Sequence, residues 1–118
     1  MAIRKIISNT FPFIPIEIIV RHRVEKIEAL IDTGFEGDVV VPKGLLTNGD
    51  PPDTILPWQL ADGKVVIAPV YAGKVKLGNI TSLKVSVITL GNEVMIGRGV
   101  TDKFKVIFDH GRKVIIEL

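Results

Sequence analysis

The sequence predicts an all-β fold, and three observations support this class. Isoleucine and valine dominate short apolar runs that glycine, proline, asparagine and aspartate interrupt. Apolar and polar side chains alternate in several runs, which is typical of strands with one buried face. We expect at most one short helical turn, over 99–104. The 118 residues, 47% of them hydrophobic and 24% charged, supply one core and not two. We therefore expect a single domain over residues 1–118.

The first predicted elements form a hairpin. Residues 14–20 carry apolar side chains at alternate positions, and 24–31 return beside them after a turn near 21–23. A short strand over 39–41 follows, and Pro42 confines it to the edge or end of a sheet.

Residues 47–57 contain three prolines and several other turn formers, which predicts an irregular and exposed loop. The Asp62-Gly63 pair stands between extended apolar segments over 55–61 and 64–71. Such a pair is a strong hairpin signal, and we expect a projecting β-arm here.

Further hairpins complete the chain. The segments 75–77 and 83–90 flank a turn at Gly78-Asn79, with Leu83, Val85 and Val87 expected inward and Lys84, Ser86 and Thr89 outward. A short buried strand is predicted over 94–96. The segments 104–108 and 113–118 are predicted to close the chain around the turn at 109–111, and residues 1–8 have strand-like composition.

The sequence contains few candidate catalytic residues. Without cysteine, the chain has no disulfide, no thiolate metal site and no cysteine nucleophile. His22 and His110 are expected to be exposed turn residues. The sequence contains no serine elbow, phosphate-binding loop or metalloprotease motif, so carboxylates remain as the candidate groups. No metal and no cofactor is implied.

Charge and hydropathy exclude other classes. Fifteen Lys and Arg against thirteen Asp and Glu give a net charge of +2, scattered along the chain, and aromatics reach only 6%. Nucleic-acid binding is therefore not expected. No apolar run approaches the roughly 20 residues of a membrane-spanning helix. We expect a cytoplasmic protein that does not bind membranes.

The most informative segment is 29–35, an apolar strand that leads Asp32 directly into a tight turn. Burying a charge is costly, so this carboxylate either caps the turn or is held for chemistry. The tripeptide Asp32-Thr33-Gly34 alone favours the turn.

Three motifs together change that balance. The first motif is Ala29-Leu30-Ile31-Asp32-Thr33-Gly34, with Gly37 and residues 39–42 after it. The second motif is Leu60-Ala61-Asp62-Gly63, and the third is Val94-Met95-Ile96-Gly97-Arg98. In order and spacing this pattern closely resembles the retroviral-like (retropepsin-type) aspartic proteases. It is most similar to a small prokaryotic branch in which Phe follows Asp-Thr-Gly. The resemblance covers roughly residues 17–116 and implies a closed acid-protease barrel with one lobe per chain.

The resemblance also implies an activity and a site. Asp32 would be the catalytic aspartate of an endopeptidase, in which two such carboxylates activate one water. The chain has one Asp-Thr-Gly, so a complete site needs a homodimer. Thr33 matches a residue that hydrogen-bonds across the dimer, and Gly34 lets its N–H approach the carboxylate.

Other matched residues support the loop or cover the site. Ile96 and Gly97 match a pair that passes behind the catalytic loop, where a glycine side chain would clash. Arg98 is expected to pair with an acid after the Asp-Thr-Gly, Glu36 first and Asp38 second. The segment Leu60, Ala61, Asp62 and Gly63 resembles the flap that closes over an extended peptide substrate, although a plain surface hairpin is an equal interpretation.

Alternatives remain open at this point. The Phe35 ring, bulkier than the small residue usual in retroviral enzymes, fills a substrate subsite or adds to the core. The chain is also compatible with a non-catalytic peptide-binding or dimerisation module of the same fold. A small nucleic-acid-binding barrel is the weakest hypothesis.

Overall fold

The computed structural model describes residues 4–46, 49–79 and 81–117, and within these ranges the chain forms ten strands and one short helix. The predicted all-β class with a single helical turn is confirmed. Residues 1–3, 47, 48, 80 and 118 lie outside the described ranges, including parts of the predicted loop and of both predicted terminal strands. The elements are β1 (Lys5–Ser8), β2 (Phe13–Val20), β3 (Arg23–Ile31), β4 (Val39–Val41), β5 (Thr54–Gln59), β6 (Val65–Leu77), β7 (Thr81–Thr89), β8 (Met95–Ile96), α1 (Arg98–Thr101), β9 (Lys105–Asp109) and β10 (Lys113–Glu117).

Six strands close into a barrel in the order β2-β3-β8-β4-β7-β6, with β2 pairing back onto β6. Closure leaves these strands without a free edge. Two of the pairings, β3 with β8 and β4 with β7, are parallel. The parallel partners are distant in sequence, so the closed core and not a local turn brings them together.

The alternation predicted over 14–20 is confirmed. Ile14, Ile16, Ile18 and Val20 are buried, and β2 pairs with β3 around a turn at Arg21 and His22. These side chains contribute to a core built mainly of isoleucine and valine. The branched side chains fit the pleated inner face of the barrel.

Strand β6 corrects the prediction of two separate strands over 64–71 and 75–77. It is one continuous strand of 13 residues that passes through Gly73. A Cβ atom at Gly73 would lie 2.7 Å from the carbonyl oxygen of Ile19 on β2. The glycine therefore marks a close approach of two strands and not a break.

Two predictions are wrong, one about the extent of a loop and one about the exposure of a side chain. The loop predicted over 47–57 ends earlier, because β5 begins at Thr54 and pairs with β6 as an edge strand, where Pro57 is tolerated. Thr89, expected outward, is buried, and its hydroxyl donates to the carbonyl of Pro69 at 3.4 Å. Thr89 lies in the part of β7 that pairs with β4, whereas the more exposed Lys84 and Ser86 precede that pairing.

The predicted projecting arm is present and consists of residues 54–70, which are β5, the turn over 60–64 and the first part of β6. Its base is anchored by Asp53. The carboxylate of Asp53 accepts the N–H of Ala72 at 2.7 Å and pairs with Arg21 at 3.3 Å. The Arg21 guanidinium lies 5.2 Å from the ring centre of Tyr71, whose hydroxyl donates to the carbonyl of Asp50. These contacts connect the arm to the β2–β3 turn.

The chain ends form a separate three-stranded sheet in the order β1-β10-β9. Strand β1 pairs with β10 of the same chain, and Val114 and Ile116 of β10 are buried. The closing hairpin of β9 and β10 is confirmed. His22 and His110 are exposed in turns, as predicted.

Candidate functional site

The Asp32 loop leaves the barrel core at the end of β3. Ile31 is buried, and the Asp32 N–H donates to the carbonyl of Ile96 at 3.0 Å, which ties the start of the loop to β8. The N–H of Phe35 donates back to the carbonyl of Asp32 at 3.2 Å. The backbone therefore turns sharply directly after a buried strand.

The Asp32 carboxylate both caps this turn and reaches its surface. Its Oδ1 atom accepts the N–H of Gly34 at 2.9 Å, and a Cβ atom at Gly34 would lie 3.2 Å from the same oxygen. The carboxylate is half-buried, and within the described ranges its Oδ2 atom has no hydrogen-bond partner. Asp32 can therefore cap the turn and also take part in chemistry, because Oδ1 accepts the Gly34 N–H and Oδ2 is available to another group.

A second segment supports the loop from behind. The N–H of Gly97 donates to the carbonyl of Asp38 at 2.9 Å, and the N–H of Arg98 donates to the carbonyl of Phe35 at 2.8 Å. A Cβ atom at Gly97 would overlap the carbonyl oxygen of Gly37 and lie 2.5 Å from both the ring and the carbonyl oxygen of Phe35. Ile96, just before it, is fully buried. The close backbone contact therefore requires glycine at position 97.

Arg98 does not take the expected partner. Its guanidinium pairs with Asp102 at 3.4 Å, and not with Glu36 or Asp38. Helix α1 begins at Arg98, so Asp102 follows one helical turn later on the same face. Both side chains are more than half exposed, so the pair contributes little to stability.

Asp38, the second expected partner, has a different role. Its Oδ2 atom accepts the N–H of Ser86 at 2.8 Å. The carboxylate thus connects the Asp32 loop to β7, and a Cβ atom at Gly99 would overlap it. No local pattern in the sequence predicts this contact, because Asp38 and Ser86 are far apart in the chain.

A cavity of about 470 Å³ lies between the Asp32 loop and the arm. Asp32 and Gly34 form one side, and Leu60 and Ala61 of the arm form another. The remaining lining is largely apolar and consists of Phe35, Val40, Trp58, Gln59, Ile88, Leu90 and Met95. The tertiary structure therefore brings residues of all three sequence motifs to one cavity, with Met95 from the third.

The other predicted site residues lie outside this lining. Thr33 is exposed on the Asp32 loop. Asp62 and Gly63 form the exposed tip of the arm, where Asp62 Oδ1 accepts the N–H of Lys64 at 2.9 Å and Gly63 has a φ of +89°. These interactions shape the hairpin turn at the tip.

A second cavity of similar volume is lined by residues of β2, β3 and the end of β6, and shares no lining residue with the Asp32 cavity. Its lining includes Glu17, Lys26, Glu28 and Lys76, and none of the residues predicted from the sequence motifs. We therefore place the candidate site at the Asp32 cavity.

Two aromatic residues connect the loop and the arm. The ring centres of Phe35 and Trp58 lie 5.7 Å apart with a tilt of 56°. Both rings pack against a small buried cluster of Val40, Ala68, Val70 and Ile88. Phe35 thus adds to the core, as one of its two expected roles required, and it also lines the cavity. Trp58 was missed, although the only tryptophan in the chain, two residues before Leu60, was an available signal.

Nearly the whole chain is similar in structure to a known protein. The structure is similar to the crystal structure of a retropepsin-like aspartic protease from Rickettsia conorii, with a TM-score of 0.62 and 17% sequence identity. The match covers 98% of this chain and 92% of that chain. The chain has a retropepsin-like fold. No family model and no curated protein matches the sequence.

The retropepsin-like fold matches the fold that the sequence motifs implied, with the Asp32 loop and β8 in contact inside one closed barrel. Within the described ranges, no group of three or more His, Asp or Glu side chains is arranged to hold a metal ion. In the same part of the chain, no helix has the length and apolar character needed to cross a membrane.

Proposed function

We propose that this protein is an aspartic endopeptidase that acts as a homodimer, with one Asp32 from each subunit. The observation that carries the proposal is the position of the Asp32 carboxylate at an apolar cavity that the arm covers. The Gly34 N–H orients one carboxylate oxygen at 2.9 Å. A retropepsin-like fold adds support, since that fold is also found in a protein described as an aspartic protease.

The proposed reaction is hydrolysis of a peptide bond. Two carboxylates in contact share one proton, because both cannot ionise cheaply. The ionised Asp32 takes a proton from water as the water oxygen bonds to the peptide carbonyl carbon, and the protonated Asp32 gives its proton to the carbonyl oxygen. The tetrahedral intermediate then loses a hydroxyl proton to the second carboxylate, while the first protonates the leaving nitrogen. The C–N bond breaks, and the single proton of the pair is again on the carboxylate that held it at the start.

The supporting residues have separate roles in this proposal. Thr33, exposed on the loop, would hydrogen-bond across the dimer, and Gly34 would orient the carboxylate. Ile96 and Gly97 would hold the loop from behind, and Arg98 would support it through its backbone N–H. The arm with Leu60, Ala61, Asp62 and Gly63 would cover an extended peptide and exclude water. The proposal needs no metal or organic cofactor, and a cytoplasmic location remains a prediction.

The test is cleavage of a mixed peptide library by the parent protein and by Asp32→Asn, from acid to neutral pH. We expect Asp32→Asn to abolish cleavage while the fold and dimer, followed by circular dichroism and sedimentation, persist. Asp102→Asn is the matched control, because it removes one exposed carboxylate directly after α1. If Asp32→Asn cleaves as well as the parent, the mechanism is wrong. A folded dimer that binds peptides without cleaving them would favour the non-catalytic binding module.

A further inference from the structure

Trp58 carries a polar group for which the folded chain provides no partner. Its indole Nε1 atom is buried and has no hydrogen-bond acceptor within the described ranges. A buried donor that has given up water without a replacement is unfavourable, and each such group in a folded protein needs an explanation. The Asp32 cavity offers one, because Trp58 forms part of its lining.

The environment of Trp58 limits which ligand group pairs with this donor. On the inner face of the arm, Trp58 contacts Phe35 and the buried cluster around Val40 and Ile88, all apolar. On the outer face, Ile55 and Ile67 are 59% and 71% exposed. These apolar neighbours offer the indole N–H no acceptor, and an occupant of the cavity would bring one. An extended peptide presents unpaired main-chain carbonyl oxygens, which suit an indole N–H.

The donor is shielded in the free chain, so pairing requires movement. The contact of Trp58 with Phe35 holds the arm against the Asp32 loop, at a ring distance of 5.7 Å. Lifting the arm or turning the indole breaks this contact, and the new hydrogen bond to a peptide offsets the loss. The unpaired donor thus favours the occupied state over the empty one.

We propose that Trp58 is a substrate-positioning residue, whose indole N–H donates to a main-chain carbonyl of the bound peptide as the arm leaves Phe35. This inference rests on the proposed function, because it takes the cavity beneath the arm as the peptide site. It adds a specific donor on the arm, next to the Asp32 loop that would do the chemistry.

The first test uses the fluorescence of Trp58, which is the only tryptophan in the chain. Asp32→Asn protein is titrated with a set of capped apolar octapeptides, and calorimetry follows binding independently. We expect emission to shift to longer wavelength with the same saturation as the heat, because the indole gains an acceptor. Binding heat without an emission shift overturns the inference, and so does the absence of both signals.

The second test compares Trp58→Phe with the parent. The phenyl ring retains apolar contact but has no N–H, so we expect peptide binding to weaken about three- to tenfold. If the parent cleaves the peptide, KM should rise by that factor while kcat changes less than about threefold. Unchanged binding overturns the inference. If the parent does not cleave but the fluorescence shift occurs, the proposed peptidase activity is wrong and Trp58 is still a contact for the bound peptide.

Discussion

The carboxylate of Asp38 accepts the backbone N–H of Ser86 at 2.8 Å and so extends the ladder between β4 and β7 by a side chain. Strand β4 begins one residue later, at Val39. The hydrogen bond therefore fixes the point at which the Asp32 loop returns to the barrel.

Asp38→Ala should lower the free energy of unfolding by about 1.5 kcal/mol, the lower end of the range for a hydrogen bond to a charged group, because the N–H of the exposed Ser86 loses its carboxylate acceptor. Asp102→Ala is the control, with an expected loss of about 0–1 kcal/mol for an exposed pair. Urea unfolding followed by circular dichroism measures both. Equal losses in the two variants would contradict the proposed contribution of Asp38.

Gly97→Ala should lower the free energy of unfolding by at least about 2 kcal/mol and reduce any cleavage, because the new methyl group overlaps the loop that carries Asp32. Gly91→Ala provides the comparison. Gly91 has a φ of +68° with open space around it, so only backbone strain of about 1 kcal/mol is expected there. Thermal unfolding and the peptide assay would show the difference, and a Gly97→Ala protein as stable and active as the parent would exclude the overlap.

Asp53→Ala should loosen the base of the arm. The substitution removes the acceptor of the Ala72 N–H and the ion pair with Arg21. We expect amide exchange around residues 70–72 to accelerate by about tenfold, measured by hydrogen–deuterium exchange and mass spectrometry. Asp62→Ala, at the tip, should accelerate exchange only near residues 60–64. The anchoring role fails if Asp53→Ala leaves exchange at 70–72 unchanged.

The proposed dimer predicts a specific result when parent and Asp32→Asn subunits are mixed. With random exchange, a fixed amount of parent protein should retain about half its activity in an equal mixture, because half of the parent subunits acquire an inactive partner. One part parent with three parts variant should leave about one quarter. Equal additions of serum albumin serve as the control. Full activity in every mixture would mean that one subunit suffices.

Local features of the sequence predicted much of this fold. The alternation over 14–20, the Asp62-Gly63 turn and the closing turn at 109–111 each lead to an observed hairpin. A hairpin depends on residues close together in the chain, so its signal is contained in a short segment. Gly73 shows the limit of such reasoning, since only the approach of Ile19 from another strand explains why a glycine occurs there.

Within the candidate site, the sequence by itself determined that Asp32 follows a buried strand and enters a tight turn, because apolar spacing and turn residues are local properties. The tertiary structure decided which groups face Asp32 and which residues hold the loop. Arg98 pairs with Asp102 and Asp38 with Ser86, while the rings of Trp58 and Phe35 are in contact in the wall of the cavity. Two of these three contacts join distant segments, and their geometry depends on barrel closure through the parallel pairings of β3 with β8 and β4 with β7. Hydrogen bonds and ring contacts act over a few ångströms. Residues far apart in the chain therefore become partners only when the closed core brings them together.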